Sequence, residues 1–150
     1  MIVWRLSHKD FTNLDGVGAK LKGGRWNTPG LPVVYTSSHL SLAVLELMVH
    51  LEIDAEDIPD NHVSIEIDVS ESFHIQKMRK KIDFHDIQAT RDYGDKWLHL
   101  CKNPGLEVKS VVIPQEANIL INPLRADISL VKTKDIRPFS FDPRLFGTQL

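Results

Sequence analysis

Residues 32–51 read PVVYTSSHLSLAVLELMVHL. Proline is tolerated at the start or edge of a strand, so the β-rich run after the Thr28-Pro29-Gly30 turn predicts a short strand over 32–36. Ser37 or Ser38 is then placed to cap a helix. At about 100° per residue, the side chains of Leu40, Ala43, Val44, Leu47, Met48 and Leu51 fall on one arc of that helix. Glu46 lies just outside the arc, one turn before His50. The helix therefore gives this carboxylate a rigid, half-buried mount.

Upstream, residues 1–6 (MIVWRL) read as a first strand leading into a long polar segment, Ser7 to Gly24, that contains Gly16, Gly18, Gly23 and Gly24. Connections longer than about 12–15 residues usually carry function, so this one is expected to line a site. Downstream, Val63, Ile65, Ile67 and Val69 alternate with polar residues, which predicts a strand over 62–69 with one wet face. Residues 74–101 read as helical in pieces. Tyr93, Trp97, Leu98 and Cys101 can turn inward there, although Gly94 weakens the helix. A strand is expected over Val108 to Ile113, closed by Pro114, then a second short run from Ile119 to Ile121, closed by Asn122-Pro123. Residues 128–139 should return as strands. Several β runs and three helical stretches without regular βα alternation predict an α+β fold rather than a doubly wound sheet.

At 150 residues, with 42% hydrophobic and 25% charged residues, the chain suits one globular domain spanning 1–150. A core of that size forms without disulfides. The single Cys101 cannot cross-link internally, and a reducing compartment, the cytoplasm, is the natural home. The opening MIVWRLSHKDF has too short an apolar run for a signal peptide, so export by that route is not expected. The mainly apolar stretch Leu40 to Leu51 is too short to span a bilayer, so no membrane association is expected. The net charge is −2 and basic residues are scattered, which argues against direct nucleic-acid binding. Seven histidines occur without an HExxH pattern or a Cys pair, so no metal is expected. Gly23-Gly24-Arg25 lacks the Gly-Lys-Ser/Thr ending of a P-loop, and Gly16-Val17-Gly18 lacks the strand–helix setting of a dinucleotide fingerprint.

Arg25 offers five rigid donors that can bracket phosphate oxygens, and Gly23-Gly24 permits close approach; the alternative is a salt bridge or a packed loop arginine. Trp26 reads as a loop anchor. Tyr35 is either a sheet-edge aromatic or a face for a flat ring. In a strand over 108–113, Ser110 would share a face with Val108 and Val112, and if buried it must bond to neighbouring backbone or to a site group. No Gly-x-Ser-x-Gly surrounds it, which disfavours a hydrolase triad. Arg5 is a second basic candidate, for which a structural ion pair serves as well. Together these residues permit a cleft for an anionic, ring-bearing ligand.

The run Gly23-Gly24-Arg25-Trp26-Asn27-Thr28-Pro29-Gly30, continuing through Pro32, Tyr35 and Ser37 to Leu42-Ala43 and Leu45-Glu46, resembles the RES domain family. These are toxins of bacterial RES–Xre type II toxin–antitoxin pairs, named for an arginine, a glutamate and a serine. The likeness continues through Gly94-Asp95-Lys96-Trp97-Leu98, Lys109-Ser110-Val111-Val112-Ile113-Pro114, Asn118 with Leu120-Ile121-Asn122-Pro123, and Phe141-Asp142-Pro143-Arg144-Leu145, and covers nearly the whole chain. The family's arginine falls on Arg25, its tyrosine on Tyr35, its glutamate on Glu46 and its serine on Ser110.

The resemblance implies a compact α+β domain with a split, mixed β-core and packed helices, related to the ADP-ribosyltransferase fold. It implies an enzyme that degrades NAD by cleaving the nicotinamide–ribose bond with water or phosphate as acceptor, an NAD glycohydrolase or phosphorylase. NAD would be a substrate, with no retained cofactor. In that reading Arg25 holds the pyrophosphate, Tyr35 packs near nicotinamide, Glu46 stabilises the charged ribose, and Ser110 positions the ribose or orders Glu46; Arg5 is a further binding candidate. ADP-ribosyl transfer to a protein and a catalytically weak interaction module stay open as alternatives. The implied partner is an antitoxin with a helix-turn-helix domain, to which DNA binding would belong; a homodimer within the complex is compatible. The chain departs from the family in carrying Lys109 for proline, Gln115 for glutamate and Leu124 for histidine.

Overall fold

A computed structural model describes residues 1–50 and 58–147. In chain order it contains β1 (Ile2–His8), α1 (Val17–Lys22), β2 (Val34–Ser37), α2 (Leu40–His50), β3 (His62–Val69), β4 (Ile75–Lys77), α3 (Ile87–Leu100), β5 (Gly105–Lys109), β6 (Ala117–Ile121) and β7 (Val131–Phe139). Short 3-10 turns lie at Ala126–Leu130 and Pro143–Phe146. The strands form a seven-stranded sheet in the order β4-β5-β6-β2-β1-β3-β7. Neighbours run antiparallel except β4 and β5, which are parallel. A mixed sheet with packed helices is the α+β class expected from the order of elements.

The β-core is one continuous sheet rather than the split one that the resemblance implied, but it is pinched at its centre. β1 pairs with β3 from Ile2 to His8, and β2 pairs with β6 from Val34 to Ser37. Between β1 and β2 the register holds one pair, Trp4 with Ser37. Each strand is fully tied to its outer neighbour, so past that pair the two inner edges diverge.

Alternation along β6 assigns the core to the two faces. Ile119 and Ile121 join Val3, Ile65 and Ile67, whereas Leu120 packs with Trp26, Trp97, Leu98, Leu106 and Val108 on the other face. By the same period of two, Tyr35 and Ser37 share the face of their cross-strand partners Leu120 and Asn118.

Several sequence expectations change. The long polar segment contains the short helix α1, which follows Gly16. In α2 the fully buried side chain is Leu42, outside the expected arc, while Leu40, Leu47 and Met48 are half-buried; the helix packs against both β1 and β2 and so buries a broader, rotated face. Leu51 lies outside the described residues. Neither Ser37 nor Ser38 caps α2: Ser37 Oγ bonds Asn118, Ser38 Oγ lies 3.1 Å from His39 Nδ1, and the His39 carbonyl accepts from Ala43 N–H. The stretch 74–101 divides into β4 and one uninterrupted helix. The strand expected over Val108–Ile113 is shifted to Gly105–Lys109, because Ser110 starts a turn in which its Oγ accepts from the Val112 and Ile113 N–H groups. Residues 126–130 form a 3-10 turn before β7.

Gly94 sits inside α3 despite its poor helix propensity because the backbone of Trp26 crosses the helix there. A Cβ at position 94 would lie 1.8 Å from the Trp26 carbonyl oxygen. That atom is backbone and cannot rotate away. Gly94→Ala should therefore lower stability by at least about 2–3 kcal/mol, the upper part of the usual overpacking range, as read by urea unfolding. A wild-type midpoint in the variant would contradict this packing.

Candidate functional site

Where β1 and β2 part, a cavity of about 570 Å³ opens, walled by both strands, α1, α2 and the Gly23–Trp26 loop. Arg5, Arg25, Tyr35 and Glu46 all line it. The structure thus brings together the loop cation and the helix-borne carboxylate that the sequence left in separate segments. Ser110 is the exception among the expected residues: it is 1% exposed and stands behind the cavity wall.

The loop bearing Arg25 is held mainly by α3. Asp86 caps that helix by accepting from the N–H groups of Gln88 and Ala89. Thr90 Oγ1 then donates to the Arg25 carbonyl at 2.6 Å, and Arg91 Nε donates to the Gly24 carbonyl at 2.8 Å. One turn further on, Asp95 accepts from both the N–H and the hydroxyl of Thr28, each at 2.9 Å. Trp26 is the expected anchor: it is buried, with edge-on contacts to Phe84 and Tyr93. Thr90, Gly94 and Asp95 form the helix groove that receives the loop. Their signal in the sequence was small and short polar residues spaced by about one turn.

Tyr35 holds the loop from the sheet side. Its hydroxyl accepts from Trp26 N–H at 3.0 Å and donates to Asn27 Oδ1 at 2.7 Å. Asn27 is fully buried, and its Nδ2 donates to the carbonyls of Ala19 and Leu31 at 2.9 Å. Burial pushes the Tyr35 phenol well above its ordinary range, so the hydroxyl keeps the proton it donates. Gly24 is required here as well, since a Cβ would meet Tyr35 Oη at 2.6 Å.

Arg25 spends one donor on the Phe84 carbonyl at 2.6 Å, and Arg5 one on the Asn13 carbonyl at 3.0 Å. Among the described residues neither guanidinium forms an ion pair. The ion pair weighed for Arg5 is therefore replaced by a bond to a loop carbonyl. Burial lowers the Arg5 pKa, with Asp15 acting in the opposite direction. Two cations facing one cavity, each with donors to spare, suit an anion with several oxygens.

Glu46 Oε1 accepts from Ser110 Oγ at 2.6 Å and from Asn118 Nδ2 at 2.7 Å. Asn118 lines the cavity as well. The sequence offered it within the motif shared with Leu120-Ile121-Asn122-Pro123, without a role of its own. Lys109, one of the departures from the family, also lines the cavity. Among the described residues there is no group of three or more His, Cys, Asp or Glu side chains able to hold a metal ion, and no helix is long and apolar enough to cross a membrane.

Residues 2–142 match the model of the RES domain. The chain is 32% identical to a protein from Sphingobium sp. named "Prs ADP-ribosylating toxin", covering 95% of this chain and 94% of that protein. It is 34% identical to "Toxin Res" of Photorhabdus laumondii, covering 97% of each. It is 35% identical to "Toxin Res" of Yersinia enterocolitica, covering 87% of this chain and 88% of the relative. Among solved structures, a chain of the M. tuberculosis MbcT–MbcA toxin–antitoxin complex superposes with a TM-score of 0.73 at 16% identity, covering 97% of this chain and 86% of that one, which shows a shared fold.

The hydroxyl of Tyr35 satisfies two buried groups at once, so Tyr35→Phe should destabilise the protein by about 1–3 kcal/mol, read by thermal or urea unfolding. An unchanged stability would show that the loop does not depend on this hydroxyl.

Proposed function

This chain belongs to the RES domain family, the toxin components of RES–Xre type II toxin–antitoxin systems, and on that premise we propose that its cleft binds NAD and cleaves the bond between nicotinamide and ribose. The observation that carries the reading is that Arg25 and Glu46 line one cavity. A dinucleotide has phosphates to engage the first and, during cleavage, a positive sugar to engage the second. We read the pinched sheet as an ADP-ribosyltransferase-type core, with the ligand entering where β1 and β2 separate.

In this mechanism Arg25, seconded by Arg5, holds the pyrophosphate through charge-assisted hydrogen bonds. The Tyr35 ring lies along the nicotinamide while its hydroxyl stays with the loop. As the C1′–N bond breaks, its electron pair leaves with nicotinamide, which becomes neutral. Positive charge develops on the ribose, where the Glu46 carboxylate attracts it more strongly in the transition state than in the substrate. An oxygen of water or phosphate then closes on C1′, and a proton is released to solvent when water is the acceptor. Ser110 acts through Glu46. NAD is consumed as a substrate in the cytoplasm, and the chemistry needs no metal or retained cofactor.

The name of the Sphingobium relative favours a second reading of the same site, in which a protein side chain replaces water as acceptor. The partner in either case is an antitoxin carrying a helix-turn-helix domain, which takes the DNA contacts. Exposed Phe11 and Leu21 line the cavity and give its mouth an apolar rim against which such a partner seats, as one toxin of a homodimer or alone.

Purified chain incubated with NAD should release nicotinamide, with mass analysis identifying ADP-ribose, its phosphate ester or a modified protein. Glu46→Gln should lower kcat by about 100–1,000-fold, the usual loss when a group aimed at transition-state charge is removed. Arg25→Ala should act chiefly on KM. A folded wild-type protein that leaves NAD intact with water, phosphate and protein acceptors would refute the catalytic reading.

A further inference from the structure

We infer that Asn118 is a positioning residue for the Glu46 carboxylate, acting through a hydrogen-bond relay that starts at Ser37. The inference concerns the same site and its kinetic test rests on the NAD reading, but its structural test does not.

The relay can be read in one direction only. Ser110 Oγ accepts from the Val112 and Ile113 N–H groups at 3.1 and 3.0 Å, so its single proton goes to Glu46 Oε1. A carboxylate oxygen accepts and does not donate, so the group that Asn118 turns toward it is the amide nitrogen, at 2.7 Å. Asn118 Oδ1 then faces Ser37, whose Oγ donates to it at 2.7 Å. Ser37 and Asn118 are direct cross-strand partners, so β2 and β6 fix the spacing of this step. Backbone N–H groups at one end and the Ser37 hydroxyl at the other therefore direct two donors onto one oxygen.

The consequence is a division of labour within the carboxylate. Oε1 is committed, and among the described residues Oε2 carries no hydrogen bond. Two donors on one oxygen fix the rotation of the carboxyl plane, which otherwise turns freely about its last torsion. Oε2 is thereby aimed at the ligand. Asparagine suits the task better than a cation would. Lysine or arginine at this place would orient Glu46 while neutralising it, and the site would lose the charge that a developing cation needs. Asparagine supplies a donor at no cost in charge, and its second end lets Ser37 prevent the amide from flipping. Leucine would leave Oε1 with one partner and the Ser37 hydroxyl without its acceptor.

Two measurements test the inference. In the kinetic test, Asn118→Ala should lower kcat for nicotinamide release about 10–100-fold while KM changes less than about threefold, as expected for a lost orienting contact. Ser37→Ala should lower kcat less, and Ser37→Thr, which keeps the hydroxyl, should restore it. In the structural test, the Glu46 carboxyl carbon is followed by NMR in 13C-glutamate-labelled protein, its resonance assigned by its loss in Glu46→Gln. Asn118→Asp is nearly isosteric and replaces the amide donor on Oε1 by a second carboxylate, so the Glu46 carboxyl resonance should be displaced from its wild-type position at the same pH. An unmoved Glu46 resonance in folded Asn118→Asp would overturn the relay, whatever the protein does to NAD. A displaced resonance in Asn118→Asp, with wild-type protein inert toward NAD, would leave the relay standing and remove the reaction. Equal losses in kcat and 1/KM in Asn118→Ala would assign Asn118 to ligand binding instead.

Discussion

β1 and β2 share one register pair, Trp4 with Ser37, and the cleft exists because that pairing stops there. Had the ladder continued, Arg5 would face Thr36 and Leu6 would face Tyr35, and the sheet would be closed where the cavity now opens. Each strand is instead committed along its other edge, β1 to β3 and β2 to β6, so the opening leaves the flanking halves intact. A sheet that parts at its centre exposes backbone polar groups along two inner edges, groups that need a partner or water. The oxygen-rich ligand proposed for the cleft would meet this requirement, and the Arg25 loop, α1 and α2 wall the remaining sides.

The loop carrying Arg25 has no regular structure beyond one bridge between Gly24 and Asn27, so its position comes from what surrounds it. Side chains of α3 bind three successive parts of it, at Gly24, Arg25 and Thr28, and Tyr35 ties Trp26 and Asn27 to β2. Most of these bonds engage backbone atoms, which leaves the Arg25 guanidinium with donors to spare beyond the one held by the Phe84 carbonyl. In the proposed function, reaching a phosphate would then require little further ordering, and preorganisation of this kind is where affinity is usually gained.

Fold class was legible because it follows from the order of elements, which hydrophobic alternation shows well: Ile65 and Ile67 on β3 could be placed on one face directly. The element boundaries near the site were less accessible. Ser110 looked like a strand residue between valines, yet its side chain competes for the backbone of Val112 and Ile113 and ends the strand, a local preference that alternation does not register. Gly94 looked like a helix breaker because its reason is a contact with Trp26, 68 positions earlier in the chain. Asn118 stood in a family motif but received no role for the same cause: its partners, Ser37 and Glu46, lie 81 and 72 positions away. Residue type marked Arg25 and Glu46, whose charges have few other uses in a cleft. The residues that hold them in place are ordinary polar ones whose roles come from tertiary proximity.

This distribution changes how loss of activity at the site should be understood. Tyr35 and Ser110 stand close to the cavity in space, but each spends its hydroxyl on other protein groups, Tyr35 on Trp26 and Asn27, Ser110 on Glu46 and a turn. Removing either leaves buried donors or acceptors unpaired, and the resulting loss of order reaches the cleft even when no ligand contact is lost. A serine whose oxygen already accepts two N–H bonds and gives its proton to a carboxylate is also a poor nucleophile, since Glu46 must remain an acceptor for the relay to hold. In the proposed reaction the chemistry thus falls on few groups, the Glu46 carboxylate and the cations facing it, and the surrounding polar residues would serve by keeping those few in register.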